Sequence, residues 1–306
     1  MATDISLTAG MRNNLLALQN TSSLIGQTQG RLSTGKKVNT PLDNPTNFFA
    51  AQNANNRASD LTNRKDGMSE ALQMVNAATA GIAGITSLIQ AAQGVASSAS
   101  ASASVTDRAN YAATFNTLMT QVSQLASDSG YRGTNFLIAQ NQTVEFGQTT
   151  NAATLQISGF TATSAGLSID TAGILTGGVG GAATSVATTS IGGAAMTVSW
   201  NASATGGGIS STATTAIQSA SSQLESALST LRSQSSSLAA NLSVVTTREA
   251  FTDQMINTLK TGADNLTLAD MNQEGANMLI LNTRQSLGTT SLSLASQAAQ
   301  SVLKLF

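Results

Sequence analysis

The stretch LTNRKDGMSEALQMVNAATAGIAGITSLIQAAQGVA, residues 61–96, places Leu61, Met68, Val75, Ile82, Ile89 and Ala96 at intervals of seven. Ala71, Ala78, Ile85 and Ala92 follow three residues after Met68, Val75, Ile82 and Ile89. Two apolar rows sustained over about five heptads predict a helix that packs along its length against partner helices. The alanines of the second row suit a close approach.

Reading backwards, this helix begins near Pro45, a residue suited to a first helical turn. Pro41 and Pro45 are the only prolines, and both lie in RLSTGKKVNTPLDNPTNFF, residues 31–49. Gly35 can close a preceding helix, and Asn44 is held out of helical geometry by the proline after it. That preceding helix has Met11, Leu18, Ile25 and Leu32 in one seven-residue row, with Leu15 starting a second. Reading forwards, the Ala/Ser run 97–104 leads to a shorter helix. It carries Tyr111, Leu118 and Leu125 on one row, Phe115 and Val122 beside it, and Asp128-Ser129-Gly130 at its end.

From Thr134 the period changes to two. Val144 and Phe146, then Leu155 and Ile157, alternate with polar residues and predict a hairpin joined by residues 147–151. Residues 160–215 are mostly Gly, Ala, Ser and Thr, with no charge between Asp170 and Glu225. They read as a small β-rich insertion. Helix returns at about Thr215 with Ile217, Leu224, Leu231, Leu238, Val245 and Leu259 on one row and Thr252 as its polar exception. Its length would be about 60 Å. After Gly262 a last helix spans about 266–306. Its rows hold Met271, Met278, Gln285, Leu292, Ala299 and Phe306, then Leu281, Ala295 and Val302.

The two ends therefore mirror each other: an outer helix, a break, a longer inner helix. The fold class is mainly α, a long antiparallel coiled-coil bundle built from both chain ends, with a β-hairpin and a small β-rich outer insertion. Three regions follow. Residues 1–43 and 264–306 form a terminal-helix domain, 44–160 and 216–263 an inner helical domain with the hairpin, and 161–215 a variable surface-exposed insertion.

Composition narrows the function. Charged residues make up 9% of the chain and the net charge is −1, so the basic footprint of a nucleic-acid binder is missing. There is no cysteine and no histidine. Disulfides and thiolate sites are thereby excluded, along with the commonest metal ligand and general base. No phosphate-loop or nucleophile-elbow motif is found, and Gly177–Gly181 lacks the Lys and helix start such a loop needs. The reading is a non-enzyme without cofactor, metal or membrane insertion. No eighteen-residue stretch reads as apolar enough to span a bilayer. The N-terminus has no apolar core of the secretory type. Low charge favours self-association.

RLSTGKKVNTPLDNPTNF, at 31–48, resembles the flagellin motif of the R-L-S-S-G-x-x-I-N type. NMLILNTRQSLGTTSLSLASQAAQSVLKLF, at 277–306, is similar to the flagellin C-terminal segment, and YRGTNF at 131–136 sits where flagellins turn before their hairpin. The P-L-D-N-P form resembles alphaproteobacterial members. The resemblance spans about 1–158 and 216–306.

It implies a structural subunit that polymerises into the bacterial flagellar filament for swimming, secreted by flagellar type III export without a cleaved signal. Its partners would be itself, the flagellar cap and hook-junction proteins, and an export chaperone on the C-terminal helix. The core packing residues would be Met11, Leu15, Leu18, Ile25, Leu32, Met271, Met278, Leu281, Leu292, Ala295, Val302 and Phe306. The joint between filament layers would use Arg31, Gly35, Lys36, Lys37, Pro41, Asp43 and Pro45. Where receptor-activating flagellins carry R-E-L, this chain has Ala92, Gln93 and Gly94, which implies weak or no activation of the vertebrate innate receptor. Two other readings stand beside this one: a hook–filament junction protein of the same family, and a surface adhesin using the middle segment.

Overall fold

A computed structural model describes residues 9–147, 153–175, 186–187, 199–203 and 209–303. Five helices carry the chain: α1 (Ala9–Thr34), α2 (Pro45–Ala101), α3 (Val105–Asp128), α4 (Ser211–Thr267) and α5 (Met271–Leu303). Strands β1 (Gln142–Glu145) and β2 (Thr154–Ile157) pair antiparallel, with Val144 opposite Leu155. A two-residue pair, β3 (Ile174–Leu175) with β4 (Val186–Ala187), forms a second sheet. The chain divides into two compact units, Met1–Ser59 with Met255–Phe306, and Asp60–Gln254. The division falls within α2 and α4 rather than at the proline loop.

In the unit Asp60–Gln254, the residues of the predicted seam are the buried ones. Leu61, Met68, Val75, Ile82, Ile89 and Ala96 are buried on α2, and Ile217, Leu224, Leu231, Leu238 and Val245 on α4. Thr252 is also buried, its hydroxyl donating to the Arg248 carbonyl at 2.8 Å. Lys65 pairs with Asp253 at 2.7 Å, and the Ser69 hydroxyl donates to Glu249 at 2.7 Å, so α2 and α4 run antiparallel. Each of these two helices has 57 residues, about 85 Å at the standard rise, longer than the sequence estimate. Gly262 does not break α4, because one helical glycine costs only about 1 kcal/mol. Helix α2 does contain an eighteen-residue window apolar enough by length and composition to cross a membrane, which corrects the expectation above. Its apolar rows are spent on the bundle core.

Helix α3 packs on a face shifted from the predicted one. Its buried row is Arg108, Ala112, Phe115, Met119, Val122 and Ala126, and Tyr111, Leu118 and Leu125 flank it half-buried. Arg108 donates to the Ser102 and Ser100 carbonyls at 3.0 and 3.3 Å, capping the end of α2, and burial pushes its pKa down. The middle segment corrects a second expectation. Ala162, Leu167, Ile169, Ala172 and Trp200 belong to the helical core rather than to a separate outer insertion. Trp200 lies 4.9 Å from the Phe115 ring. Asn116 clamps Ala172 by two bonds, donating to its carbonyl at 2.9 Å and accepting from its N–H at 2.7 Å. Small apolar residues between many Ser and Thr hid this packing from a periodicity reading. The predicted hairpin turn and much of the segment beyond Leu175 lie outside the described residues.

Asn135 ties the loop after α3 to the helix end. Its buried Nδ2 donates to the Ala126 and Ser127 carbonyls at 2.8 and 2.9 Å, and its Oδ1 accepts from the Leu137 N–H at 2.8 Å. Replacing it with alanine orphans two last-turn carbonyls. Asn135→Ala is expected to destabilise this unit by on the order of 2 kcal/mol. The check is a lower urea midpoint in circular dichroism with an unchanged slope.

Candidate assembly interface

In the other unit, α1 and α5 form an antiparallel pair. Arg31 meets Glu274, and Asn14 donates to Ser291 at 3.2 Å. Leu18 sits over Gly288, where an added Cβ would come within 2.7 Å of the leucine. The three pairs share one register, so the helices are in step along most of their length. On α1 the packed positions are Met11, Asn14, Leu18, Thr21, Ile25, Thr28 and Leu32, an alternating three–four spacing. The predicted row Met11, Leu18, Ile25 and Leu32 is therefore turned towards the pair. Its companion row is the polar Asn14, Thr21 and Thr28, and Leu15 stands exposed.

On α5, Leu281 is buried, and Met278, Leu292 and Ala295 are half-buried in the same face. Met271 is exposed. The side chain of Val302 and the whole of Phe306 lie outside the described residues. Sequence reading missed a further row. Ile280, Leu287 and Leu294 recur every seven residues, one position before the packed row Leu281, Gly288 and Ala295. They are 52%, 66% and 61% exposed, with Leu279 beside them. Leu16 and Leu24 of α1 are likewise exposed. Their shared heptad spacing was the available signal; the stronger neighbouring row masked it.

The proline loop has a defined path. Gly35 closes α1 with φ +69°, a left-handed conformation that favours glycine. The Lys37 and Val38 N–H groups then donate to the Thr267 carbonyl at 2.8 and 3.2 Å, and the Ala269 N–H donates to the Gly35 carbonyl at 2.9 Å. Val38 is buried below this staple. The break before α5 is thus made by Leu268–Asp270, and Asp270 Oδ1 caps α5 through the Asn272 and Gln273 N–H groups. Asn44 caps α2 through the Asn47 N–H at 3.0 Å, and Pro45 opens that helix.

The three cations of the loop separate. Arg31 bonds Glu274 at 3.0 Å, and Glu274 is buried in the first turn of α5, where a helix favours negative charge. Lys36 and Lys37 are exposed and, among the described residues, lie in no ion pair. Asp43 faces inward on its own turn. Its Oδ2 accepts from the Thr40 N–H at 2.9 Å, the Asn39 N–H at 3.0 Å and the Thr40 hydroxyl at 3.1 Å. These bonds, the Thr40 N–H foremost, hold its carboxyl below the usual range, and Arg31 adds a smaller pull. Of the receptor-motif positions, Ala92 is buried, Gln93 half-buried and Gly94 exposed.

This is a structural protein whose polar groups cap and staple helices while its terminal helices display apolar rows. Residues 5–143 match the bacterial flagellin N-terminal helical region. The chain is 29% identical over 296 residues to the flagellin FljM of Caulobacter vibrioides, covering 95% of each chain. It is 28% identical over 303 residues to the flagellin FljK of the same organism, covering 99% of this chain and 98% of the relative. A shorter stretch of 92 residues is 38% identical to a flagellin of Brucella melitensis, 30% of this chain and 33% of that one. The chain is thus similar to bacterial flagellins over nearly its whole length.

A depressed carboxylate pKa contributes order above its ordinary value, 3.8, and loses it as the pH falls through the lower folded value. The Asn39 and Thr40 amides are therefore expected to be protected from hydrogen exchange near neutral pH and to lose that protection below about pH 3.8. In Asp43→Asn they should exchange faster with no such acid step. Exchange measured across pH on both proteins checks this.

Proposed function

We propose that this chain is a flagellin whose copies join through the apolar rows of α1 and α5 to build a flagellar filament. The observation that carries the reading is the row Ile280, Leu287 and Leu294, left in solvent on a helix whose other face is already packed. Fully burying one such side chain contributes roughly 1.5–3 kcal/mol. Association first loses an estimated 4–15 kcal/mol of translational and rotational freedom. One weak contact would not offset that, whereas several per subunit, as in a helical polymer, would. Low charge helps as well, because every charge in a homopolymer is repeated at each subunit.

Around this core the finer reading follows the family resemblance. The subunit leaves the cell through the flagellar type III apparatus and meets cap and hook-junction proteins at the filament ends. A cytoplasmic chaperone holds its C-terminal helix, the one bearing Leu279, Ile280, Leu287 and Leu294, before export. Its terminal helices are labile in the free monomer and ordered in the polymer. The joint residues Arg31, Lys36 and Lys37 act between filament layers, Arg31 within its own chain and the two lysines towards neighbours.

Purified monomer is expected to elongate on filament seeds, the behaviour that separates a filament subunit from a hook–filament junction protein. Leu287→Asp should abolish growth while the monomer keeps its circular dichroism spectrum. Electron microscopy of seeded reactions reads both results, and normal growth of the variant would overturn the assigned interface.

The innate-receptor expectation also has a physical basis. Ala92, Gln93 and Gly94 display no charge and no exposed apolar anchor. The purified protein is expected to give little or no signal in receptor reporter cells at concentrations where an enteric flagellin saturates them.

A further inference from the structure

We infer that Arg284 of one copy pairs with Asp264 of the next, and that Leu268 of that second copy seats against Ile280 and Leu287 of the first. The inference rests on the filament reading and assigns one contact within it. Ile280, Arg284 and Leu287 follow one another at helical spacing along one face of α5. Arg284 is exposed and, among the described residues, lies in no ion pair. The aliphatic row stands on both sides of it. A surface that covers the row takes this cation out of water as well, and a cation so buried needs an acid opposite it.

The terminal unit, Met1–Ser59 with Met255–Phe306, has few acids to offer. Among its described residues, Asp43 is held by the amides of its own turn, Asp270 caps α5, and Glu274 is buried against Arg31. Asp264 is left: it is exposed and lies in no ion pair among the described residues. Lys260 stands one turn before it on α4, but an exposed pair at that helical spacing is weak and leaves the carboxylate open to a stronger partner. The Leu268 N–H donates to the Asp264 carbonyl at 2.7 Å, which continues the helical turn and sets Leu268 over Asp264 on one face. Leu268 is 46% exposed. The next residue, Ala269, is bound to Gly35 by the staple, so this acid and leucine are held in place before they meet a partner.

Distance decides between a contact within one chain and a contact between two. The register of the Asn14–Ser291 pair sets Arg284 level with Thr21. Thr21 stands about 20 Å along α1 from Gly35. Asp264 lies at the Gly35 end, less than one turn before Thr267, which the staple binds. An arginine side chain is too short to close that gap, so the two groups meet across copies. The chain thus holds both halves of the contact, a cation between aliphatics and an acid beside a leucine. Because the two surfaces differ, the contact is heterologous and propagates instead of closing a dimer.

Charge reversal tests the pair. Arg284→Asp and Asp264→Arg should each raise the critical concentration for growth on seeds roughly tenfold or more, with unchanged monomer melting. The double variant should regain most of the growth. So should an equal mixture of the two single variants, in which each copy finds its complement on the other kind. A bridge within one chain would be restored by the double variant but not by the mixture. Arg284→Gln and Asp264→Asn should together slow growth no more than either does alone, which keeps the test should a reversed variant not fold. Unimpaired growth of either reversed variant, a double variant that stays inactive, a mixture that does not grow, or additive losses in the neutral pair would each overturn the contact. Failure of wild-type monomer to grow on seeds would instead remove the filament reading.

Discussion

The terminal unit depends on three backbone hydrogen bonds between Gly35–Val38 and Thr267–Ala269. They join the two places where the chain leaves one helix and enters another. Neither break could be placed alone, since α1 and α5 are nearly neutral helices whose shared face mixes polar residues among the apolar ones. A seam of Asn14, Thr21 and Thr28 alternating with Leu and Ile has little to prevent slippage. A slip by one heptad would still bury an aliphatic row, but it would break the staple and part Arg31 from Glu274. The register is therefore fixed at one end and maintained along the pair by Leu18 over Gly288 and Asn14 with Ser291.

That division of labour explains what could be read from the chain. The seam of α2 was legible because large and small apolar residues alternate without interruption, and all its members are buried. The loop was legible because glycine and proline restrict backbone geometry by themselves. Three things were not. Gly262 looked like a break, yet tertiary packing outweighs one poor helix former. Leu15 looked like a second row, yet the pair turns Asn14 inward instead. Residues 162–172 and Trp200 looked like an outer insertion, yet Asn116, Ser123 and Gln223 bind their polar groups and draw them into the core. Side-chain amides on a helix, waiting for a distant backbone, leave no periodic trace.

The candidate interface was legible in kind but not in detail. Apolar stripes on the terminal helices pointed to partners, but heptad rows one residue apart cannot be ranked from spacing alone. Only the α1–α5 pairing shows that Leu281 is consumed within the chain and that Ile280, Leu287 and Leu294 are left over. The cations divide in the same way. Arg31 answers a buried acid of its own chain, while Lys36 and Lys37 lie in no ion pair among the described residues.

The fold of a single chain and the proposed polymer thus draw on different residues. Asn135, Arg108, Asp270 and the staple satisfy helix ends, so losing them harms the fold of a single chain. Leu42, Ile280, Leu287 and Leu294 stand in solvent instead and satisfy no helix end. A subunit that assembles as proposed gains from the separation. Its fold can form early, while each assembly contact remains too weak alone to offset the entropy of association, and only the growing end of a filament offers several at once.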